Sequence, residues 1–329
     1  FPRAIPLVTI ARVFHYDGGL KITALDLAID VRRRQPRGFI SHAHTDHMAA
    51  HELAFATPAT AALYRHRLGT RPVHELPYGE PLSWGGYQLT TAPAGHILGA
   101  AMLHVAGPDR TLLYTGDFRM RPSATAAPAD PPRADVLVME CTFGLPEYRL
   151  PPREKVVADL VGTLRQALKV GLVPVVQAYL VGKAQEVTRI LTDHGFAVRQ
   201  HPAIFAVSQV YEAAGCPTGA VGAYEGSIGP NEVLIYPPTS HRLKGPTLPK
   251  QTLKIAVTGW AADPDAKWRL GVDYAFPLSD HADYDELLEC IERVDPRIVY
   301  CFHGPPEFVD DLISRGRDAR WLPTLKGRG

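Results

Sequence analysis

The segment Ser41-His42-Ala43-His44-Thr45-Asp46-His47, directly after the apolar run Gly38 to Ile40, constrains the chain more than any other feature. Three imidazoles and one carboxylate crowded together have one simple common cause, which is metal ligation. At the end of a strand alternate side chains share a side, so His42 and His44 point together and ligate one metal. Asp46 and His47, in the turn that follows, reach a second metal beside it. The segment alone leaves both metals short of ligands, so more must arrive from downstream.

They do. Ala94-Gly95-His96-Ile97-Leu98-Gly99 follows a strand, and its glycines let backbone approach closely, which makes His96 the third nitrogen on the first metal. Tyr114-Thr115-Gly116-Asp117-Phe118-Arg119 ends another β run, and its carboxylate suits a bridge between cations held roughly 3.5–4 Å apart. Tyr300-Cys301-Phe302-His303-Gly304 closes a late strand and offers the remaining nitrogen. The ligand sets are then His42, His44, His96 and Asp117 on one metal, and Asp46, His47, His303 and Asp117 on the other. Nitrogen and carboxylate ligation with open positions suits two divalent ions, zinc first and Mn²⁺ as the alternative.

Composition sets wide bounds. A chain of 329 residues, 46% hydrophobic and 21% charged, can bury one large α/β core or two separate ones. Lys plus Arg is 35 against 34 for Asp plus Glu, so any steering of a polyanion must come from a local patch. The 14 histidines agree with metal binding, and the four cysteines form no CxxC pair. No run approaches the roughly 18 apolar residues of a membrane span, and Phe1 to Ile10 lacks a secretory layout, so the expected location is the cytoplasm, away from membrane.

The pattern of elements changes along the chain. Up to about residue 140 short β-rich runs, Ile22 to Asp30, Gly38 to Ser41, Tyr87 to Ala92, Leu112 to Thr115 and Val136 to Met139, are separated by Gly, Pro and Asp. After Pro151-Pro152 a helical period takes over in Val156, Leu160, Leu164 and Ala167. Strands at Leu172 to Gln177, Val233 to Tyr236 and Leu253 to Thr258 then alternate with helices at Lys183 to His194 and Ile204 to Ala214, which predicts a mostly parallel sheet. Later helices are expected at Tyr284 to Val294 and near Glu307 to Ser314. Lys183 opens a helix after a glycine and reads as a phosphate-facing N-terminus or a solvated helix face, and Trp260 in Thr258-Gly259-Trp260 reads as a base-stacking surface or a packing residue.

Taken in order, HAHTDH, AGHILG, TGDFR, ECTFG, GKAQE, PLSDHADY and FHG resemble the β-CASP family of metallo-β-lactamase proteins, over about residues 26 to 304. That family includes the Artemis-like DNA repair nucleases, RNase J and the endonuclease of pre-mRNA 3′ processing. The resemblance implies an αββα sandwich, with residues 1–145 and 269–329 flanking an inserted β-CASP domain at 146–268. It implies a nuclease that attacks phosphodiesters with a metal-activated hydroxide, with Asp46 in the catalytic group. It further implies His281 as general acid, Glu140 as the carboxylate that orients it, and Asp30 as the partner of a ligand histidine, with Asp26 the competing candidate.

The resemblance also narrows the substrate. Histidine at position 303 is usual in RNA-directed members, whereas TGDFR and the Thr-Gly-Trp loop are similar to the Artemis-type branch and the layout is similar to bacterial exonucleases associated with DNA ligase or helicase genes. The expected substrate is single-stranded DNA, with RNA the competitor. DNA ligase or helicase repair proteins are the expected partners. A small ester or thioester hydrolase would show a short bridge from Asp117 to its last histidine, and a dead scaffold subunit would lack ligands; neither fits.

Overall fold

The computed structural model of the chain describes residues 14–16, 19–238 and 245–322. They divide into two compact units: residues up to Pro122, Ala127–Glu147 and those from Tyr284 on form the first, and Ser123–Ala126 with Tyr148–Asp283 form the second.

The first unit opens with strands β1 (Phe14–Tyr16), β2 (Leu20–Ile22), β3 (Leu27–Ile29), β4 (Arg37–Phe39) and β5 (Leu53–Ala56), helix α1 (Pro58–Leu68), then β6 (Val73–Glu75), β7 (Leu82–Trp84), β8 (Tyr87–Pro93), β9 (Ala101–Ala106), β10 (Thr111–Tyr114) and β11 (Val136–Glu140). The second unit holds α2 (Arg153–Lys169), β12 (Val173–Gln177), α3 (Lys183–Asp193), β13 (Ala197–Gln200), α4 (Pro202–Ala213), β14 (Val221–Ala223), β15 (Glu232–Tyr236), β16 (Thr252–Val257), α5 (Ala266–Leu270) and β17 (Tyr274–Phe276). The chain returns to the first unit with α6 (Tyr284–Val294), β18 (Ile298–Phe302), α7 (Glu307–Ser314) and β19 (Ala319–Trp321).

Two sheets face each other in the first unit, one in the order β1-β2-β3-β4-β5-β6 and one in the order β19-β18-β11-β10-β9-β8-β7. Ile22, Leu27, Ile29, Phe39 and Phe55 from the former share one core with Leu89, Leu103, Val105, Leu112, Val136, Val138 and Ile298 from the latter. Along β11 the period-2 rule sends Val136 and Val138 into that core and Leu137 and Met139 to the opposite face, and all four are buried. The outer face of the other sheet is covered by a helix, Tyr64 of α1 packing on Ile40, Ala54 and Ala56. This is the αββα sandwich.

Ile22 to Asp30 is not one strand. Asp26 adopts a left-handed backbone, φ 50°, and caps a 3₁₀ turn at Thr23–Leu25 that reverses β2 into antiparallel β3. Asp is among the few residues that tolerate this region, so an alternation that reads as continuous in one dimension folds back.

The second unit is a wholly parallel sheet in the order β14-β13-β15-β12-β16-β17. Val156, Leu160 and Leu164 of α2 and Val187, Ile190 and Leu191 of α3 cover Val176, Val233, Ile235, Ile255 and Val257. The segment 146–268 falls almost entirely inside this unit, which continues to Asp283 because β17 pairs in parallel with β16.

Candidate metal centre

The ligand-bearing segments emerge at one end of the first unit. Strands β10, β11 and β18 are parallel, and their register sets Glu140 opposite Phe302, so the turns after β10 and β18 leave at the same level. The Ser41 carbonyl accepts from Ala101 N at 2.9 Å, tying the turn after β4 to the start of β9. Arg119 N donates to Ala94 O at 2.9 Å, joining the His96 loop to the Asp117 turn. Two glycines permit this crowding. A Cβ on Gly95, φ 77°, would lie 2.1 Å from the Arg119 carbonyl, and one on Gly116, φ 57°, would lie 2.7 Å from Ser41.

Three imidazoles and Asp117 converge as a result. His42 Nε2 lies 3.0 Å from His44 Nδ1, which lies 3.1 Å from His96 Nε2. Asp117 Oδ2 is 3.5 Å from His42 Nε2 and 3.9 Å from His96 Nε2. Ligands about 2.0–2.1 Å from a tetrahedral zinc stand about 3.3 Å from each other, so this set fits a divalent cation. The same carboxylate oxygen is 3.3 Å from His47 Nε2, a buried nitrogen with no well-aligned hydrogen bond. His47, Asp117 and His303 form the neighbouring group of candidate ligands. Asp117 thus belongs to both groups, as expected of a bridging ligand.

The tautomers follow from Asp30, which sits in left-handed backbone at φ 49° after β3. Its carboxylate accepts from Ser41 N at 2.8 Å, Ser41 Oγ at 2.6 Å, His47 Nδ1 at 2.9 Å and Tyr114 Oη at 2.8 Å. The Ser41 hydroxyl proton is committed to Asp30, so the 2.9 Å contact with His42 Nδ1 requires His42 to donate. Both His42 and His47 therefore carry a proton on Nδ1 and aim Nε2 at the centre. Burial, then the neighbouring His47, hold the His42 pKa well below the usual imidazole range, which keeps its Nε2 lone pair free. For His47 burial opposes the charged form, but Asp117 and Asp30 outweigh it and hold the pKa well above the usual value. A pocket that favours a buried imidazolium favours a cation. Tyr114 gave no sign of this role in sequence beyond closing the strand before Asp117. Burial and Asp30 push its pKa well up, so its hydroxyl stays a donor.

The remaining predicted residues take different places. Asp46 is 57% exposed with Oδ2 3.9 Å from His47 Nε2. His303 is exposed, in left-handed backbone at φ 51°, its ring centroid 5.6 Å from that of His47. Glu140 is fully buried and accepts from Phe118 N at 3.0 Å and from the Thr142 hydroxyl, so it braces the turn that carries Asp117. Asp26 pairs with Lys21 at the surface and is not the ligand partner. Trp260 is 42% exposed and meets Tyr148 edge-on. His281 follows Ser279, whose Oγ accepts from its amide at 2.9 Å. Lys183 requires correction: it faces no phosphate. It is fully buried, donating to the Leu278 carbonyl at 2.8 Å and standing 3.3 Å from Asp280, because α3 turns this position toward the protein interior.

Among the described residues no helix is long and apolar enough to cross a membrane. Residues 272–321 match the Zn-dependent metallo-hydrolase RNA specificity domain. A protein of Opitutus terrae named probable DNA ligase is 37% identical over 309 residues, 92% of this chain and 30% of that protein. A ribonuclease of Thermus thermophilus is 29% identical over 211 residues, 53% of this chain and 48% of its own length. The chain thus spans less than half of either relative. A solved protein of unknown function from Enterococcus faecalis V583 shares the fold, with a TM-score of 0.58 and 18% identity over 87% of this chain and 79% of that one. With its ligand segments, its sandwich and these relatives together, the chain belongs to the β-CASP branch of the metallo-β-lactamase fold, a family of Zn-dependent metallo-hydrolases with nucleases among its members.

Proposed function

We propose that the chain is a metal-dependent phosphodiesterase that trims DNA ends, working inward from a 5′ terminus on single strands. The convergence of His42, His44 and His96 with Asp117 supports the hydrolase chemistry. These four would hold one divalent ion, and His47, Asp46 and His303 with Asp117 would hold a second. Bound there, zinc or Mn²⁺ supplies Lewis-acid polarisation of the phosphoryl oxygens and a nucleophile at neutral pH.

The chain's own residues do the rest. Asp30 fixes the tautomer and direction of His42 and His47. Glu140 holds the Asp117 turn in place, and the family resemblance gives it the role of orienting His281. His281 delivers a proton to the departing oxygen of the broken phosphodiester. None of these steps uses a 2′-hydroxyl, so the sugar is selected elsewhere, with Trp260 as a stacking surface for a base.

The observation that favours DNA is the relative named a DNA ligase, which matches 92% of this chain. It also favours a DNA ligase as partner, with a helicase of the same repair the alternative that the family resemblance implies. RNA is the second reading, favoured by His303 and by the RNA specificity domain match over 272–321. Single strands of DNA and RNA, labelled at either end and offered with Zn²⁺ or Mn²⁺, separate the two. Early release of labelled mononucleotide from 5′-labelled DNA is expected; faster RNA cleavage supports the second reading instead, and internal cuts that leave both end labels on long fragments overturn the exonuclease reading. Elemental analysis is expected to find two transition-metal ions per chain, and His42→Ala to lose metal together with activity. A metal-free, fully active preparation refutes both readings.

A further inference from the structure

The second unit carries a buried charge that the proposed chemistry does not use directly. Lys183, the first residue of α3, follows Gly182 and is fully buried. Its Nζ donates to the Leu278 carbonyl at 2.8 Å, stands 3.3 Å from Asp280 Oδ1 and 3.7 Å from Glu186 Oε2. Glu186, buried one turn along the helix, in turn takes Arg153 at 2.9 Å and the Ser123 hydroxyl at 2.9 Å. Positive and negative groups thus alternate from Arg153 through Glu186 and Lys183 to Asp280. Burying an ammonium is unfavourable by itself, and an apolar side chain of similar volume often serves stability as well or better. Stability alone therefore does not account for this lysine.

What Lys183 grips is informative. Leu278 and Asp280 flank Ser279, whose hydroxyl accepts from the His281 amide and donates to the His281 carbonyl, both at 2.9 Å. The lysine bonds on one side of this turn and the serine closes it on the other, so the backbone of His281 is held from both directions. A flexible imidazole loses proton-transfer efficiency steeply with misplacement, and about 1 Å of error costs about 10²-fold. We infer that Lys183 is a positioning residue for His281, acting through the Leu278 carbonyl and Asp280. This rests on His281 being the proton donor.

The test compares leaving groups, because a plain core anchor and a positioner of the acid differ there. A sugar alkoxide needs a proton as it departs, whereas p-nitrophenolate does not. Lys183→Met is expected to keep both metals and to lower kcat on a DNA strand about 10–100-fold with little change in KM, while thymidine 5′-p-nitrophenyl phosphate loses less than about threefold. Amide hydrogen exchange over residues 277–283 is expected to accelerate in the same variant. His281→Ala, run in parallel, is expected to show the same selectivity with a loss of about 10²–10⁴-fold on DNA. Equal losses on both substrates with Lys183→Met, beside a selective His281→Ala, overturn the positioning role alone. A His281→Ala variant without selectivity overturns the acid assignment and the inference with it. If Lys183→Met does not fold, Asp280→Asn keeps the volume and gives the same two readouts.

Discussion

Asp30 shows how much one side chain can set. Four donors converge on its carboxylate, and two of them determine where the protons of His42 and His47 reside. Partners of this kind alter metal affinity by about 10–100-fold when removed. Asp30→Asn is therefore expected to weaken metal binding by about that range while the fold persists, measured by competition with a chromogenic chelator. Tyr114→Phe is expected to do less, since it removes a single donor. Unchanged affinity in both variants means that the tautomers are set elsewhere. At this scale the convergence of His42, His44, His96 and Asp117 was legible from their spacing, because a strand end with alternating histidines has few other uses. Lys183 was not: glycine followed by a helix start looks the same whether the lysine faces solvent or core, and only packing decides.

The elements serve the site through their ends. Helices with a strong 3.6-residue apolar stripe could be read from sequence with the limits they have in the structure, Tyr284–Val294 and Glu307–Ser314. Helix α1 was not read, since Pro58–Leu68 has no apolar stripe and depends on the Thr57 cap, proline at its start and burial of Leu63 and Tyr64. Strands of three or four residues such as β5, β6 and β7 escaped for a similar reason, their pairing being supplied by neighbours distant in sequence. Gly95→Ala tests the loop between β8 and β9. A positive φ with a Cβ at 2.1 Å from a carbonyl predicts a loss of about 1–3 kcal/mol, seen as a lower melting temperature with weaker metal retention. Asp135 tests the join of β10, β11 and β18. Its bonds to the Thr111 amide and hydroxyl, with Arg297 nearby, hold its pKa below the usual carboxylate value. A depressed folded pKa contributes stability above the unfolded value, about 3.9, and that contribution disappears as pH falls through the lower folded value. In metal-free protein Asp135→Asn is thus expected to flatten the acid limb of the stability curve below about pH 4. An unaltered limb assigns the acid sensitivity to other carboxylates.

Across the whole molecule, the chain completes most of one unit, builds a second and returns to finish the first. A ligand that binds only the native state raises stability by mass action, by about 4 kcal/mol at a thousand times its Kd. Chelation is accordingly expected to lower the melting midpoint, and added zinc to restore it. A midpoint indifferent to chelator contradicts a metal held by His42, His44, His96 and Asp117. By itself the sequence determined the kind of layers and picked out the segments whose His and Asp side chains converge, because residue spacing and apolar period are local and survive in one dimension. Tertiary structure alone decided three things: that Asp26 turns outward while Asp30 turns to the histidines, that β17 extends the second sheet, and that Lys183 is buried beneath the His281 turn. Asp30, β17 and Lys183 depend on partners well removed in the chain, Tyr114, β16 and Leu278, whose proximity no spacing records.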